Sequence, residues 1–208
     1  MLGASLDFES YVSRIGHEMN RIDADAVRRW ADVLFDAWDN DKTVYVVGNG
    51  GSATSATHFS QDLAKSTLRT DDLYDETKKR LRIISLTDNV GWMLAVANDL
   101  DYDQIFVQQL MTLASRGDLV IAISGSGNSS NVVKAVDWAK RSGLRTFGLT
   151  GFDGGQVDAL CDDGVHVDLD DMGMVESLHL TLFHWVLNDV YARINSEGRY
   201  AVGSHSGS

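Results

Sequence analysis

Two loops rich in glycine and serine, residues 48–52 and 124–129, constrain the fold of this chain more than any other part of its sequence. Each loop directly follows a short apolar run with many β-branched residues, at 43–47 and 119–123. Such runs are typical of strands that are buried on both faces of a parallel sheet. Because a segment with helical spacing follows each loop, we predict that each one joins the carboxyl end of a strand to a helix.

The rest of the chain also alternates between predicted strands and predicted helices. The spacing of apolar residues predicts two helices, over 6–22 and 23–38, before the first strand. The predicted strands are 43–47, 81–86, 119–123, 146–149 and 165–167, and the later helices are predicted from 52 and over 89–98, 104–113, 131–141, 156–160 and 174–195. This order predicts the α/β class, with a doubly wound, flavodoxin-like, five-stranded parallel sheet, helices on both faces and extra N-terminal helices.

The length of 208 residues, with 44% of them hydrophobic, predicts one domain over residues 1–208. The polar segment 66–79 interrupts the alternation and is predicted to be a long surface loop or lid. The low-complexity segment 203–208 is predicted to be a disordered tail.

Both loops have the features of a phosphate site. In doubly wound sheets, ligands bind at the carboxyl ends of the strands. Glycine lets the backbone approach a ligand closely, serine hydroxyls donate to it, and the following helix presents free N–H groups and a positive dipole end. The alternative is that both are ordinary strand-to-helix turns with serine caps. Two hydroxyl-rich loops in one short chain favour phosphate binding.

The composition excludes several other functions. The net charge of −12 argues against nonspecific binding to nucleic acid or to an anionic membrane, because both depend on Lys and Arg. The one cysteine, Cys161, rules out an internal disulfide, and no apolar stretch reaches the ~18 residues of a membrane span. We therefore expect a soluble, cytoplasmic protein with a small phosphorylated partner.

Four side chains on two predicted helices have the chemistry of metal ligands. His58 and Asp62 are four residues apart, so they project from one face of a helix. Glu176 and His184 lie eight residues apart on the final helix. Two histidines and two carboxylates suit a tetrahedral zinc site. The spacing alone leaves the alternative open, because histidines on apolar helices are commonly core or interface residues.

Six motifs follow one another in a fixed order along the chain. They are Gly48-Asn49-Gly50-Gly51-Ser52 with His58-Phe59-x-x-Asp62-Leu63, then Thr87-Asp88, Asn98-Asp99, Ser124-x-Ser126-Gly127-Asn128-Ser129, Leu149-Thr150-Gly151-x-Asp153-Gly154-Gly155, and Glu176-x-x-His179-x-x-x-x-His184. Over about residues 8 to 194, this series resembles the sugar isomerase (SIS) domain of the phosphoheptose isomerase family. The resemblance implies conversion of sedoheptulose 7-phosphate to a heptose 7-phosphate through an enediol(ate) intermediate. It also implies a homotetramer with sites between subunits, in which the helices of residues 1–40 serve oligomerisation.

The resemblance also implies a role for each matching residue. Ser52, Ser124, Ser126 and Ser129 match the phosphate-binding hydroxyls, with Gly50 and Gly51 in the same loop, and Asn49, Asp88, Asn98 and Glu176 match positions that contact the substrate. Asp62 matches the catalytic base, and His184 matches the histidine that transfers the other proton. His58, Asp62, Glu176 and His184 match the zinc ligands of the family, where zinc would act as a Lewis acid on the sugar carbonyl.

This chain departs from the family at two of these positions. Asp62 stands where the family has glutamate, and Glu176 stands where it has glutamine. The base is therefore shorter, and a neutral ligand has become charged. An alternative function is a noncatalytic SIS-domain module of the kind that associates with a replication initiator. The set of four potential metal ligands favours the isomerase, since a binding module has no need of them.

Overall fold

The computed structural model describes residues 2–201, so the predicted tail at 203–208 lies outside the described residues. The α-helices are α1 (Phe8–Arg21), α2 (Ala24–Asp39), α3 (Gly51–Lys65), α4 (Val90–Asp99), α5 (Val107–Leu113), α6 (Ser130–Arg141), α7 (Gly155–Leu160) and α8 (Met172–Asn195). The strands are β1 (Thr43–Gly48), β2 (Arg82–Ser85), β3 (Leu119–Ser124), β4 (Arg145–Thr150) and β5 (Asp163–His166). The predicted order of elements is confirmed.

The five strands form one parallel sheet in the order β2-β1-β3-β4-β5. This is the flavodoxin-like, doubly wound order, so the predicted fold class is confirmed. The two loops singled out in the sequence follow β1 and β3, which are neighbours paired from Val44↔Leu119 to Gly48↔Ile123. Their carboxyl ends, and therefore the two loops, lie side by side.

Helices cover both faces of the sheet. One buried cluster joins α2, α3 and α8 to the sheet, and a second joins α4, α5 and α6 to the opposite face. The first cluster contains the rings of Trp30, Phe59 and Phe183, with Phe59 of α3 stacked on Phe183 of α8 at 3.8 Å between centroids. Since His58 and His184 are the sequence neighbours of these two rings, the packing of the core also decides where the two histidines meet.

Two local differences from the predicted elements have simple causes. The helix predicted over 104–113 is a 3-10 turn, Tyr102–Gln104, followed by α5. The final helix begins at Met172, two residues earlier than predicted, because the side chain of Asp171 accepts a hydrogen bond from the backbone N–H of Met174 and caps it. Segment 66–79 contains a 3-10 turn, Thr70–Tyr74, whose Tyr74 is almost fully exposed.

The described part of the chain contains no helix with both the length and the apolar character needed to cross a bilayer.

Candidate active site

The two serine-rich loops line one cavity of about 310 Å³. Its serines are Ser52, Ser124, Ser126 and Ser129, and the backbones of Gly50, Gly51 and Gly125 complete this wall. We call this cavity the serine cradle. The predicted phosphate-binding residues therefore come together, although they are separated by more than seventy positions in the sequence.

Two helices begin at the serine cradle without a side-chain cap. Gly50 precedes α3 with φ of 55°, a left-handed conformation that favours glycine, and makes no side-chain capping hydrogen bond. Ser129 precedes α6 and also makes no capping hydrogen bond. The first N–H groups of a helix need partners. Two uncapped helix starts thus offer the N–H groups and dipole ends that suit an anion.

Ser124 adds a buried hydroxyl to the serine cradle. Its side chain is 4% exposed, and its Oγ has no hydrogen-bond partner among the described residues. Leaving a buried polar group without a hydrogen bond is costly, so such groups indicate a missing partner. The hydroxyl is therefore placed to bond a ligand in this cavity.

The loop after β4 and the following helix α7 support the second serine loop. The N–H of Gly151 donates to the carbonyl of Gly125 at 2.8 Å, and the N–H of Val157 donates to that of Gly127 at 2.9 Å. Gly127 has φ of 65°, and a Cβ there would collide with the carbonyl of Gly154. No role was predicted from the sequence for the glycines of the 149–155 motif. They allow the two loops to pack backbone against backbone.

His58, Asp62 and His184 form a second group, the metal-donor group. Their ligand atoms all lie within 4.8 Å of one another. Nε2 of His58 is 3.1 Å from Oδ2 of Asp62, and the rings of His58 and His184 are 5.3 Å apart at their centroids. The structure therefore brings together three of the four predicted ligands from two helices.

The donor chemistry of this group fits a zinc ion. Imidazole nitrogens and carboxylate oxygens are ordinary zinc ligands, and catalytic sites commonly have three protein ligands with an open fourth position. His184 is exposed and the other two side chains are partly exposed. A substrate oxygen can therefore approach the open side.

Glu176 is the predicted ligand that the structure does not place in the metal-donor group. Its carboxylate lines the serine cradle and lies against Gly51, where any Cβ would collide with Oε1. The reason is the direction of the helices. Gly51 contacts Glu176, and further along both helices His58 contacts His184. The helices α3 and α8 therefore run side by side in the same direction. At ~1.5 Å of rise per residue, eight residues place His184 about 12 Å further along α8.

Asn49, predicted to hold a sugar hydroxyl, is engaged in a polar network. Its amide exchanges two hydrogen bonds with that of Asn131, at 2.8 and 2.9 Å, and its Oδ1 accepts one from the hydroxyl of Tyr102 at 3.2 Å. Asn131 is buried at the start of α6, so the pair joins the two serine-rich loops. Nothing in the sequence motif pointed to Asn131 or Tyr102 as its partners.

The two remaining predicted contacts with the substrate are exposed. Asp88 accepts hydrogen bonds from the hydroxyls of Thr57 and Thr87. Because Thr57 is on α3, Asp88 is bonded to this helix one residue before His58. Asn98, at the end of α4, donates to Asp99 at 2.8 Å. Neither is among the residues that line the serine cradle.

Two further groups, His179 on α8 and Cys161 at the end of α7, are structural. His179 is buried, and its Nε2 lies 3.1 Å from the carbonyl of Thr150. Burial lowers the pKa of His179 to about 4, so the ring is neutral near pH 7. Burial also raises the pKa of the Cys161 thiol to about 12, which makes it a poor nucleophile.

Comparison with known proteins gives a consistent result. Residues 7–151 match the SIS domain family model. The chain is 33% identical to the "Probable phosphoheptose isomerase" of Thermoplasma acidophilum over 87% of this chain and 96% of that protein. It is 38% identical to the phosphoheptose isomerase of Aliarcobacter butzleri, over 71% of this chain and 74% of that one. The structure of phosphoheptose isomerase from Neisseria gonorrhoeae superimposes with a TM-score of 0.76 at 28% identity, covering 85% of this chain and 91% of its own.

Proposed function

Since this chain belongs to the phosphoheptose isomerase family of SIS-domain proteins and is a sugar-phosphate isomerase, we propose that it converts sedoheptulose 7-phosphate to a heptose 7-phosphate. The observation that carries this proposal is the spacing of the two groups. The serine cradle includes Gly51, the first residue of α3, and the metal-donor group includes His58, seven residues or ~10 Å further along α3. An extended seven-carbon sugar has comparable length, with its phosphate at one end and its carbonyl at the other.

The serine cradle holds the phosphate in this proposal. Backbone N–H groups at the starts of α3 and α6 and the hydroxyl of Ser124 donate to its oxygens. This binding fixes the sugar with C1 and C2 at the metal-donor group. Because the phosphate is remote from the reacting carbons, its contacts contribute mainly to binding.

Asp62 acts as the general base. Its Oδ1 accepts a hydrogen bond from Nε2 of Gln61 at 2.6 Å, and its Oδ2 faces His58, so the carboxylate is held in a defined orientation. Asp62 removes the proton from the carbon next to the carbonyl and returns it to the neighbouring carbon. His184 has two ring nitrogens, and the one that would not be a zinc ligand transfers the proton between the two sugar oxygens, which completes the enediol route.

Zinc is the cofactor in this proposal, held by His58, Asp62 and His184. When bound there, it supplies Lewis-acid polarisation of the sugar carbonyl. The mixed nitrogen and oxygen donors support zinc over Mg²⁺ or Ca²⁺, which favour oxygen ligands.

We also propose that the chain forms one domain over residues 1–208 and assembles into a homotetramer with contacts through residues 1–40. Phe8 and Val12, four residues apart on α1, are 76% and 53% exposed. An apolar groove of about 380 Å³ lies between the first two helices and α8, lined by Met19, Ile22 and Trp185 among others. Exposed apolar surface of this kind supports association between copies. The expected cytoplasmic location stays a prediction.

The proposal is tested by incubating the purified protein with sedoheptulose 7-phosphate in deuterated water. Proton transfer through a base that exchanges with solvent places deuterium at C2 of the aldose product, which NMR detects. A protein that binds the sugar phosphate but neither forms product nor incorporates deuterium, with any heptose or hexose phosphate, would support the noncatalytic binding module instead.

A further inference from the structure

An exposed methionine lies at the serine cradle. Met172 is the first residue of α8, and its side chain lines the cavity together with Ser124 and Ser126. Among the methionines that the structure describes, only Met111 and Met172 are exposed, at 52% and 38%. Met174, two residues further along α8, is fully buried. Oxidants in the solvent can therefore reach Met172, which is the one described methionine that lines the cradle.

The thioether of Met172 packs against the second serine loop. Its Sδ and Cε occupy the space that a Cβ of Gly125 would take. The carbonyl of Gly125 accepts a hydrogen bond at 2.8 Å from the N–H of Gly151, which holds this part of the loop in place. An atom added to Sδ therefore either takes space from the cavity or displaces the loop that forms its wall.

A thioether is oxidised by peroxides to a sulfoxide. One oxygen atom of hydrogen peroxide bonds to Sδ, the O–O bond breaks, and the other oxygen leaves with both protons as water. Sulfur loses two electrons and the peroxide gains them. The sulfoxide oxygen carries a partial negative charge and accepts hydrogen bonds but donates none. It would thus compete with an anion for the hydroxyls and N–H groups of the serine cradle, and it would repel the anion's charge.

We propose that Met172 is a reversible oxidation site that regulates the serine cradle. Its sulfoxide weakens the binding of phosphate groups, and reduction to the thioether restores it. Methionine sulfoxide reductases catalyse the return step, in which two thiols become a disulfide and the oxygen leaves as water. This inference rests on the proposed function, because it takes the cradle as the phosphate site of the isomerase. The affinity of the enzyme for its substrate then falls under oxidising conditions and recovers afterwards.

Hydrogen peroxide and sulfate test the proposal on the full chain. Mass spectrometry of peptides gives the fraction of Met172 that has gained one oxygen atom, and calorimetry gives the sulfate affinity of the same sample. We expect the dissociation constant for sulfate to rise about tenfold when Met172 is oxidised, which is the effect of losing about one hydrogen bond to a charged group. Treatment with reductases for both sulfoxide epimers should restore the original value.

Two variants connect the effect to this side chain. Met172→Leu replaces the sulfur by an apolar side chain of similar volume, so its sulfate affinity should be the same before and after peroxide. Met111→Leu removes the other exposed methionine, on α5, and should lose affinity after peroxide as the wild type does. Cys161 is a poor competitor for peroxide, because burial raises the pKa of its thiol to about 12.

Several outcomes would overturn the inference. One is a sulfoxide at Met111 while Met172 remains a thioether, and another is oxidation of Met172 with unchanged sulfate affinity. An equal loss of affinity in Met172→Leu and the wild type would do the same, as would a loss that persists after the thioether of Met172 is restored. The proposed isomerisation is judged separately, by deuterium incorporation in the untreated wild type, so it can fail or survive independently.

Discussion

The serine cradle and the metal-donor group are built from different parts of the chain. The cradle consists of two loops whose positions follow from paired strands, glycines and backbone hydrogen bonds. The metal-donor group consists of side chains on two helices, and the stacking of Phe59 on Phe183 decides their distance. Because the cradle combines backbone donors with several hydroxyls, its affinity for a phosphate should fall only in part when a single side chain is removed. The metal-donor group should lose its function when any one of its side chains is removed, because in the proposed function all three are zinc ligands and two of them also transfer protons.

The largest expected effect is at Asp62. Asp62→Asn keeps the shape but removes the proton acceptor, so kcat for the isomerase should fall ~10²–10⁴-fold. The melting temperature should stay close to that of the wild type, since the side chain is only partly buried. Asp71→Asn, in the exposed loop, is the matched control. If the Asp62→Asn protein had the kcat of the wild type, Asp62 would not be the base.

The next effect is the loss of metal from His184→Ala. We expect about one Zn²⁺ per subunit in the wild type and little in the variant after dialysis, because two ligands hold zinc much less strongly than three. Elemental analysis measures the ratio, and Thr181→Ala, exposed on the same helix, should keep the metal. Equal zinc content in His184→Ala and Thr181→Ala would mean that the ion binds at another site.

A smaller and graded effect is expected in the serine cradle. Ser124→Ala combined with Ser126→Ala should raise KM for the sugar phosphate ~10–100-fold and change kcat much less, because contacts remote from the reacting carbons provide uniform binding. The backbone donors at α3 and α6 remain, so binding should not vanish. A fall in kcat with unchanged KM would contradict the separation of the two regions.

The backbone of the serine cradle can be tested at Gly127. Gly127→Ala should lower the free energy of unfolding by ~1–3 kcal/mol, because φ is positive and a Cβ would collide with the carbonyl of Gly154. Gly16→Ala in α1 is the control, since nothing lies within 4 Å of its Cβ and alanine favours a helix by ~0.5–1 kcal/mol. Urea unfolding measures both. Equal stability of the two variants would mean that the contact between the loops is not needed.

A pH-dependent effect is expected at His179, the buried histidine of α8. The folded pKa of His179, about 4, is below the ordinary value of 6.5, so its contribution to stability is complete above pH 6.5. As pH falls from 6.5 towards 4, the unfolded chain gains a proton that the folded chain does not, and stability drops by up to ~1.4 kcal/mol per pH unit. Chemical unfolding at several pH values should show a shallower slope for His179→Gln. His17→Gln, at an exposed position, should keep the slope of the wild type.

The fold was largely predictable because its signals are local. The runs before the two serine loops have the composition of strands buried on both faces, and each occupies the predicted place in the sheet. The start of α8 was predicted two residues late, because its cap depends on Asp171 and not on an apolar residue. The split of α5 from the turn at Tyr102–Gln104 also has no signal in the apolar spacing.

The sequence by itself determined the pairing of His58 with Asp62, since the pitch of one helix puts residues four apart on the same face. It also determined that two loops with anion-binding chemistry follow strands. Only the tertiary structure decided which side chains from different elements meet. The packing of Phe59 on Phe183 brings His184 to His58, while the direction of α8 leaves Glu176 beside Gly51. Spacing along one helix fixes positions on that helix alone, and the contacts between helices depend on how the whole core packs.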